Sequence, residues 1–172
     1  MTDAAEPTAD EFRATLGLFA TGVAVMTARA GDLAHGMTAN AISSVSLDPL
    51  LVLVCVEREA VMRKVVEEVG AFAISVLAAD QEHLSRWFAD PARPNGTVQF
   101  DGVAHHPAPV TGAPLLDGAI AWVECTVDAS HDAGDHVIFI GRVRSLRRAA
   151  RRDPLLYFAS RYRGLAGADP GP

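Results

Sequence analysis

The chain has 172 residues, of which 49% are hydrophobic and 21% are charged, and this composition excludes a disordered protein. The formal net charge of −6 argues against general nucleic-acid binding, and the longest apolar run, Leu50 to Val56, is far too short to span a bilayer. The acidic N-terminus lacks the basic and apolar regions of a signal peptide. We therefore expect a cytoplasmic protein without nucleic-acid or membrane partners, folded as one domain over residues 10–165 with flexible termini at 1–9 and 166–172.

Hydrophobic periodicity predicts a series of short helices and strands. A first helix begins at the candidate N-cap Asp10, carries Phe12, Leu16 and Phe19 at helical spacing, and ends at Thr21-Gly22. Alternating or continuous apolar residues predict strands at Val23–Thr27, Gly36–Ala41, Leu50–Val56, Phe72–Leu77, Ala119–Ala129 and His136–Leu146.

A second helix is predicted between two of these strands. It covers Ala60–Val69, places Val61, Val65 and Val69 on one face, and ends at the capping Gly70. A helix in this position interrupts the succession of strands without producing a regular βαβ alternation.

The rest of the chain adds a third helix from Asp80 through Phe88, and Asp153-Pro154 opens a last helical turn with Tyr157, Arg161 and Tyr162. No glycine fingerprint leads from a strand into a helix, which argues against a Rossmann domain. Antiparallel strands joined by turns favour a closed or split barrel with helices packed outside it.

The positions of the cysteines and histidines give little sign of a disulfide or a metal centre. Cys55 and Cys125 both lie in apolar strands, where buried free thiols are favoured over the disulfide that their number permits. His105-His106, His131 and His136 lie near Cys125 in sequence, but their spacing matches no zinc pattern. We therefore expect no metal site.

An arginine cluster stands against the negative net charge. It has two interpretations: a solvated strand end and loop, or a surface that attracts an anionic dinucleotide. The cluster consists of Arg142, Arg144, Arg147, Arg148, Arg151 and Arg152.

Two polar motifs are candidates for ligand binding. The run from His35 to Pro49 is rich in small and hydroxylated residues, so a flat ligand can lie close to its backbone and bind its hydroxyls or the Asn40 amide. The same run is also compatible with a plain polar strand and turn. In Gly134-Asp135-His136 the carboxylate can orient the imidazole as a general acid or a ligand donor, although a histidine that caps a turn gives the same tripeptide.

Further short motifs follow one another over nearly the whole chain. They are Phe12-Arg13, Leu16-Gly17, Phe19–Val23, the Gly36–Pro49 run, Leu84-Ser85, Phe88-Ala89, Phe100, Pro114–Ala119, Gly134-Asp135-His136 with Gly141, Asp153–Tyr157 and Arg161-Tyr162. In this order they resemble the flavin reductase family, the small reductase components of two-component flavin-dependent monooxygenases.

The resemblance implies a mainly β fold with short helices, a split antiparallel Greek-key β-barrel that binds FMN, assembled as a homodimer with the flavin near the dimer interface. It implies that the isoalloxazine ring lies against Thr38, Ala39, Asn40, Ala41 and Ile42. The other residues that it implies for flavin and nucleotide binding are Ser44, Val45 and Ser46, the turn Glu57, Arg58, Glu59, Ala60 and Val61, and Ser85, Phe100, Tyr157, Arg161 and Tyr162. Some relatives have a lysine in place of Glu59, which leaves Arg58 or Arg63 as the phosphate contact.

The implied activity is hydride transfer from NADH or NADPH to FMN or FAD, with reduced flavin diffusing to a partner monooxygenase. His136 resembles the family histidine that contacts the nicotinamide nucleotide, and Tyr157, Arg161 and Tyr162 resemble the tail that closes over it. Two alternatives remain: another split-barrel reductase, for example one acting on a corrinoid or in pyridoxamine-phosphate-type oxidation, and a non-catalytic flavin- or haem-binding protein. The His136 motif and the tail favour a reductase, because a pure binder has no use for a nicotinamide site.

Overall fold

The computed structural model describes residues 6–150 and 152–165; the remaining parts of the predicted flexible termini, and Arg151, lie outside these ranges. The α-helices are α1 (Ala9–Leu16), α2 (Val61–Val69) and α3 (Glu82–Ala89), and short 3-10 helices cover Ala79–Gln81 and Thr97–Phe100. The strands are β1 (Thr21–Gly22), β2 (Ala24–Ala30), β3 (Leu33–Ala39), β4 (Ile42–Leu47), β5 (Leu50–Glu57), β6 (Ala71–Val76), β7 (His105–Pro107), β8 (Pro114–Leu116), β9 (Ala121–Ala133), β10 (His136–Arg148), β11 (Leu156–Phe158) and β12 (Arg161–Arg163).

Seven strands form one antiparallel sheet in the order β3-β2-β6-β9-β10-β5-β4. The two outermost strands, β3 and β4, are consecutive in the chain and are linked only by Asn40-Ala41. So short a link forces the sheet to curl until its ends meet. The Cys55 N–H donates to the Ala41 carbonyl at 3.1 Å and so extends the β4–β5 ladder into this link. Because β3 and β4 are not ladder partners, the barrel is split along this seam, and the expected split antiparallel barrel is confirmed.

Helix α2 packs on the cluster that fills the barrel. Its Met62, Val65 and Val66 are buried together with Met26 of β2 and other strand residues. The predicted inward face is correct at Val65, but Val61 is 39% exposed and Met62 takes its place. The reason is helical geometry, since positions i, i+3 and i+4 starting from Met62 form one stripe.

The outer face of β2 and β3 is covered by α3 and by the chain that follows it. Val25 of β2 packs there in a second buried cluster with Phe88 of α3, Phe100 and Leu116. Burial on both sides explains why β2 reads as an almost continuous apolar run, whereas a strand with one wet face would alternate.

The first helix differs from its prediction in its cap and its exposure. Thr8, two residues before the predicted Asp10, caps α1 and forms a capping box with Glu11. The predicted apolar stripe does not pack on the core, because Phe12 and Leu16 are 62% and 51% exposed. None of the residues of α1 is buried.

The predicted last helical turn is wrong: the chain forms a hairpin there. Strands β11 and β12 pair antiparallel with Tyr157 opposite Tyr162, and β11 also pairs with β1. Ala159 and Ser160, between the strands, have φ of 49° and 58°, as a two-residue hairpin turn with the twist of the strands requires. Pairing with β1 satisfies backbone groups that an isolated helical turn would leave open.

The remaining expectations on cysteines and membranes can be compared directly with the structure. Both thiols are free, as expected, but only Cys125 is fully buried, whereas Cys55 is partly exposed. Burial, with a smaller effect from the Glu124 carboxylate, raises the pKa of Cys125 to about 12, so this thiol stays protonated. Along residues 6–150 and 152–165, every helix is too short or too polar to cross a membrane.

Candidate functional site

One edge of the sheet, strand β3, is largely covered by side chains of a single loop. The Thr97 hydroxyl accepts from the Ala34 N–H at 2.9 Å, and the Gln99 side-chain oxygen accepts from the Gly36 N–H at 3.0 Å. The Arg93 guanidinium donates to the Gly36 carbonyl at 2.6 Å. The loop thus replaces the neighbouring strand that this edge lacks.

The cover ends before Thr38. In an antiparallel ladder the outward-facing backbone groups belong to alternate residues, so those of Thr38 point the same way as those of Ala34 and Gly36. Within residues 6–150 and 152–165, no hydrogen bond outside the ladder reaches the Thr38 N–H or C=O. Thr38 therefore presents one donor and one acceptor at the barrel seam, as the edge of a heterocycle requires.

Four of the predicted site residues meet at this point. The Thr38 hydroxyl donates to the Ser85 carbonyl at 2.6 Å, and the Ser85 hydroxyl lies 2.8 Å from the Tyr162 hydroxyl. Tyr157 packs edge-on against Tyr162, with ring centroids 5.3 Å apart. The Arg86 guanidinium lies 4.8 Å from the centroid of the Tyr162 ring. The tail hairpin is thereby anchored to α3 beside β3.

Asn40, in the link between β3 and β4, borders a cavity of about 310 Å³. Its amide donates to the Thr21 hydroxyl at 3.3 Å, and Thr21 in turn is the ladder partner of Tyr157. The walls are mainly apolar, with Ile42 and Val52 from the strands and the 19–24 segment opposite. Asn40 therefore borders a mainly apolar space at the end of β3, and whether a flat ligand occupies it stays a prediction.

A second cavity, of about 440 Å³, contains His136. We call it the His136 cavity. Its lining residues come from β3, β5, the start of α2, the end of α3 with the following loop, and β10. They are His35, Met37, Cys55, Glu57, Glu59, Ala60, Val61, Phe88, Ala89, Pro91, Arg93, Asn95 and His136.

His136 begins β10, directly opposite Glu57 of β5 in the ladder. Its Nδ1 lies 2.8 Å from the Asp135 carboxylate, and the hydrogen bond and charge of His136 lower the pKa of Asp135. In the part of the chain that the structure describes, Nε2 makes no hydrogen bond, so the imidazole is oriented through one nitrogen and retains the other for a ligand.

The turn before α2 carries the predicted phosphate contacts, but its arginines are already engaged. Arg58 donates to the Gly134 carbonyl and forms an ion pair with Asp132 at 2.9 Å, so it supports the turn that carries His136. Arg63 pairs with Glu67 on its own helix at 2.7 Å. Positive charge for a phosphate therefore does not come from free arginines in this turn.

The backbone at the start of α2 is open instead. Ala60, at the N-cap, provides no side-chain cap, and the first turn has no acidic residue. The first N–H groups of a helix have no partner within it, and they attract anions. Because Ala60 and Val61 line the His136 cavity, this helix end is accessible to a ligand there, although the exposed Glu59 carboxylate lies beside it.

Several other predicted residues line neither of the two cavities. Ser44 and Val45 lie on β4 with both faces of the strand largely exposed, and Ser46 is partly buried. Arg161 is exposed at the start of β12. Phe100 is 3% exposed and packs on Phe88 with ring centroids 5.3 Å apart, so it lies in the core and lines neither cavity.

Sequence reasoning missed several residues of the His136 cavity. His35 and Met37 lie three residues and one residue before Thr38. Because successive side chains of a strand alternate between its faces, both belong to the face opposite the Thr38 side chain. Cys55 of β5 lies opposite Ile138, two ladder pairs from the pair formed by Glu57 and His136. Arg93 lies in a Pro- and Asn-rich loop, where the sequence signals only irregular structure. The alternation of side chains along the strand could have identified His35 and Met37. Nothing in the sequence indicated Arg93.

The arginine cluster is mostly paired locally. Arg142 binds Asp128 at 2.6 Å and Arg152 binds Asp80 at 2.5 Å. Arg147 lies 4.2 Å above the Trp122 ring and 2.9 Å from His106. These contacts support the interpretation as a solvated strand end. No group of three or more potential metal ligands clusters within residues 6–150 and 152–165.

Comparison with known proteins assigns the family. Residues 16–166 match the family model described as "Flavin reductase like domain". The chain belongs to the flavin reductase family. It is 44% identical to an NADH-dependent FAD reductase of Streptomyces globisporus, over 94% of this chain and 88% of that protein. Against an NADH-dependent flavin reductase of a Rhodococcus species, the identity is 42%, over 93% of this chain and 88% of that protein.

Solved structures of this family have the same fold. BorF, the flavin reductase component of a bacterial two-component tryptophan halogenase, superposes with a TM-score of 0.88 at 46% identity, covering 93% of this chain and 99% of BorF. The NADH:FAD oxidoreductase SgcE6 of Streptomyces globisporus, in complex with NAD and FAD fragments, gives a TM-score of 0.87 at 38% identity and covers 97% of this chain and all of SgcE6.

Proposed function

We propose that the protein is an NADH-dependent flavin reductase that reduces FAD or FMN and releases reduced flavin to a partner monooxygenase. The observation that carries the proposal is the arrangement of the barrel seam: Thr38 presents open backbone groups, and Met37, the residue before it on the same strand, lines the His136 cavity. Relatives named as NADH-dependent FAD and flavin reductases support it.

The flavin site in this proposal is the seam between β3 and β4. Thr38, Ala39, Asn40, Ala41 and Ile42 offer close backbone approach to the ring. Ser44, Val45, Ser46 and the open start of α2 at Ala60 and Val61 face the ribityl chain and phosphate, with the hairpin of Tyr157, Arg161 and Tyr162 as a wall. When bound, the flavin supplies the redox chemistry by accepting a hydride, and the protein holds the two ligands in register.

His136 is proposed to bind the nicotinamide nucleotide. Asp135 holds Nδ1, which fixes the ring plane and leaves Nε2 for a polar group of the ligand. Hydride transfer to a flavin needs no protonated catalyst in its main step, so we assign His136 to binding rather than to general acid catalysis.

The activity test compares NADH and NADPH oxidation by the purified protein with FAD, FMN and riboflavin as acceptors. We expect rapid NADH-dependent bleaching of flavin absorbance under anaerobic conditions. Tight flavin binding without any NADH- or NADPH-dependent bleaching would instead identify a non-catalytic binder. Addition of a flavin-dependent monooxygenase then tests whether the reduced flavin leaves the protein in usable form.

The role of His136 is tested by His136→Ala, with His131→Ala on the neighbouring exposed part of β9 as a matched control. Loss of one hydrogen bond of about 0.5–3 kcal/mol corresponds to an increase in the KM for NADH of about 2- to 150-fold. Flavin affinity and kcat at saturating NADH are expected to stay nearly unchanged. A collapse of kcat at saturation would show general acid catalysis, and wild-type kinetics would show a turn residue only.

The flavin seam is tested by Asn40→Trp, which adds a large side chain where the ring would approach the backbone. Asn40 is exposed and makes one long hydrogen bond, so the fold should tolerate the change. We expect flavin affinity to fall while the circular dichroism spectrum is retained. Wild-type affinity in the folded variant would show that the link is only structural.

We also propose a homodimer, with residues 10–165 of each subunit forming a single domain. The support is β4, whose two faces are largely exposed and which carries Val45 and Leu47 at 47% and 86% exposure. A bare edge strand with apolar side chains is a liability unless a partner covers it. Light scattering coupled to gel filtration measures the mass, and a monomer at all concentrations contradicts the proposal.

A further inference from the structure

Arg93 is a half-buried cation in the wall of the His136 cavity. Its hydrogen bonds go only to neutral oxygens: the Gly36 carbonyl at 2.6 Å, the Asp90 carbonyl at 2.8 Å and the Gln99 side-chain oxygen at 3.4 Å. Among residues 6–150 and 152–165 no carboxylate lies within ion-pair distance of it, although Glu57 and Glu59 line the same cavity.

The surroundings leave this charge poorly compensated. Burial lowers the pKa of Arg93, and the Asp90 carboxylate offsets this only in part. His35, another ionisable side chain of the wall, is itself kept uncharged, because burial and the Arg93 charge lower its pKa to about 4. A desolvated cation without an anionic partner is unfavourable, so a ligand that brings an anion into the cavity gains from it.

The donor count leaves capacity for such a ligand. A guanidinium has five N–H groups, and three bonds to protein oxygens account for three of them. The open N-terminus of α2, at Ala60 and Val61, lines the same cavity and also favours negative charge. Two independent features of one cavity therefore select an anion.

We propose that Arg93 binds the diphosphate group of a dinucleotide in the His136 cavity. A diphosphate is the anion that NADH and FAD share, and its oxygens accept two parallel N–H bonds from a guanidinium. The proposal rests on the proposed function only for the identity of the dinucleotide. Arg93 also covers the β3 edge through Gly36, so its structural role and its ligand role use different N–H groups.

The test compares wild type, Arg93→Gln, Arg93→Lys and the control Arg29→Gln. Arg29 is likewise half-buried and binds one backbone carbonyl, that of Gly112 at 2.9 Å, but it does not line the His136 cavity. Affinities are measured by calorimetry for three probes: ADP-ribose, which carries the diphosphate of NADH without its nicotinamide, FAD, and riboflavin, which has no phosphate.

For Arg93→Gln we expect affinity for ADP-ribose or FAD to fall about 10- to 100-fold, as for loss of charged hydrogen bonds, with riboflavin unchanged. Loss for ADP-ribose assigns the diphosphate of the nicotinamide nucleotide; loss for FAD assigns that of the flavin. Arg93→Lys should regain most of the affinity, and Arg29→Gln should match wild type. Equal weakening of riboflavin, or no change for either diphosphate probe, overturns the proposal.

A second measurement needs only the wild-type protein, in case Arg93→Gln does not fold. Raising the salt concentration from about 0.05 M to about 0.5 M shortens the screening length and should weaken binding of the diphosphate probe but not of riboflavin. Salt-independent affinity overturns the proposal. Because these probes report binding, a wild type without NADH-dependent flavin reduction would refute the proposed function while leaving this result interpretable.

Discussion

The two edge strands of the barrel sheet differ in how far the rest of the chain covers them. The β3 edge is covered by its own chain, since Gln99, Thr97 and Arg93 satisfy backbone groups of Ala34 and Gly36. The β4 edge has no comparable cover within the described residues, and both of its faces are largely exposed. The β3 edge is therefore fixed by its own chain, whereas the β4 edge is available to a ligand or to another protein chain.

The difference indicates how the seam can be rigid and accessible at once. The covered part of β3 fixes the position of Thr38, just beyond the last covering side chain, while β4 leaves the opposite side of the seam open. Preorganised polar groups beside an open face are what a ligand site requires. Substitutions on the β3 side should therefore reduce stability, whereas substitutions on β4 should change association and not folding.

The largest effect is expected for Gln99→Leu. The fully buried amide accepts from the Gly36 N–H and donates to the Gly96 carbonyl and to His35 Nδ1. Leaving these groups buried without partners should cost about 3–5 kcal/mol of unfolding free energy, measured by urea denaturation. Ser46→Ala on β4 is the control and should cost less than about 1 kcal/mol. Equal losses would show that the two edges are not different.

The next effect concerns pH and His35. Its pKa is lowered from 6.5 to about 4 in the folded protein, so between these values the unfolded chain binds more protons. The stabilisation from the uncharged ring is complete above pH 6.5 and is lost as the pH falls through about 4, by up to about 3 kcal/mol.

His35→Gln should accordingly flatten the dependence of the unfolding free energy on pH within this window. The exposed His131→Gln should keep the wild-type slope. Parallel slopes for His35→Gln and wild type would mean that the ring is already charged in the folded protein, in contradiction to its buried position at the covered edge.

A smaller loss is expected for Gly36→Ala, which tests the close approach of α3 to β3. A Cβ at this position would lie 2.6 Å from a ring carbon of the buried Phe88. Overpacking of this kind costs about 1–3 kcal/mol, detectable as a lower midpoint of thermal unfolding. Gly164→Ala, where a Cβ would meet nothing within 4 Å, should leave the midpoint unchanged. A stable Gly36→Ala would show that α3 can move away from the edge.

The smallest effect on folding is expected for Leu47→Asp on β4. Leu47 is 86% exposed, so the unfolding free energy of a subunit should change by less than about 0.5 kcal/mol. The mass measured by light scattering should nevertheless fall from dimer to monomer, because a charge is placed on the proposed contact. An intact dimer would remove β4 from the interface.

Strong local signals predicted much of the framework. Alternation and apolar runs located the strands of the barrel, and Gly70, which adopts φ of 63° at the end of α2, marked that helix end correctly. The same signals failed at the first helix and the tail. Phe12 has helical spacing but is exposed, and Tyr157 lies in a hairpin, since pairing with β1 depends on a strand more than a hundred residues away in the chain.

The sequence alone determined the family, through the order of its short motifs along the chain. It also determined the antiparallel β class and the small polar run at the barrel seam, because these depend on spacings within a few residues. Tertiary structure decided which side chains share a cavity. It engaged Arg58 with the His136 turn, placed Phe100 in the core and brought Arg93, from an irregular loop, into the wall of the His136 cavity. Such neighbours are set by how the sheet curls and how loops cover its edges. Contacts between residues that are far apart in the chain produce no periodic pattern in the sequence.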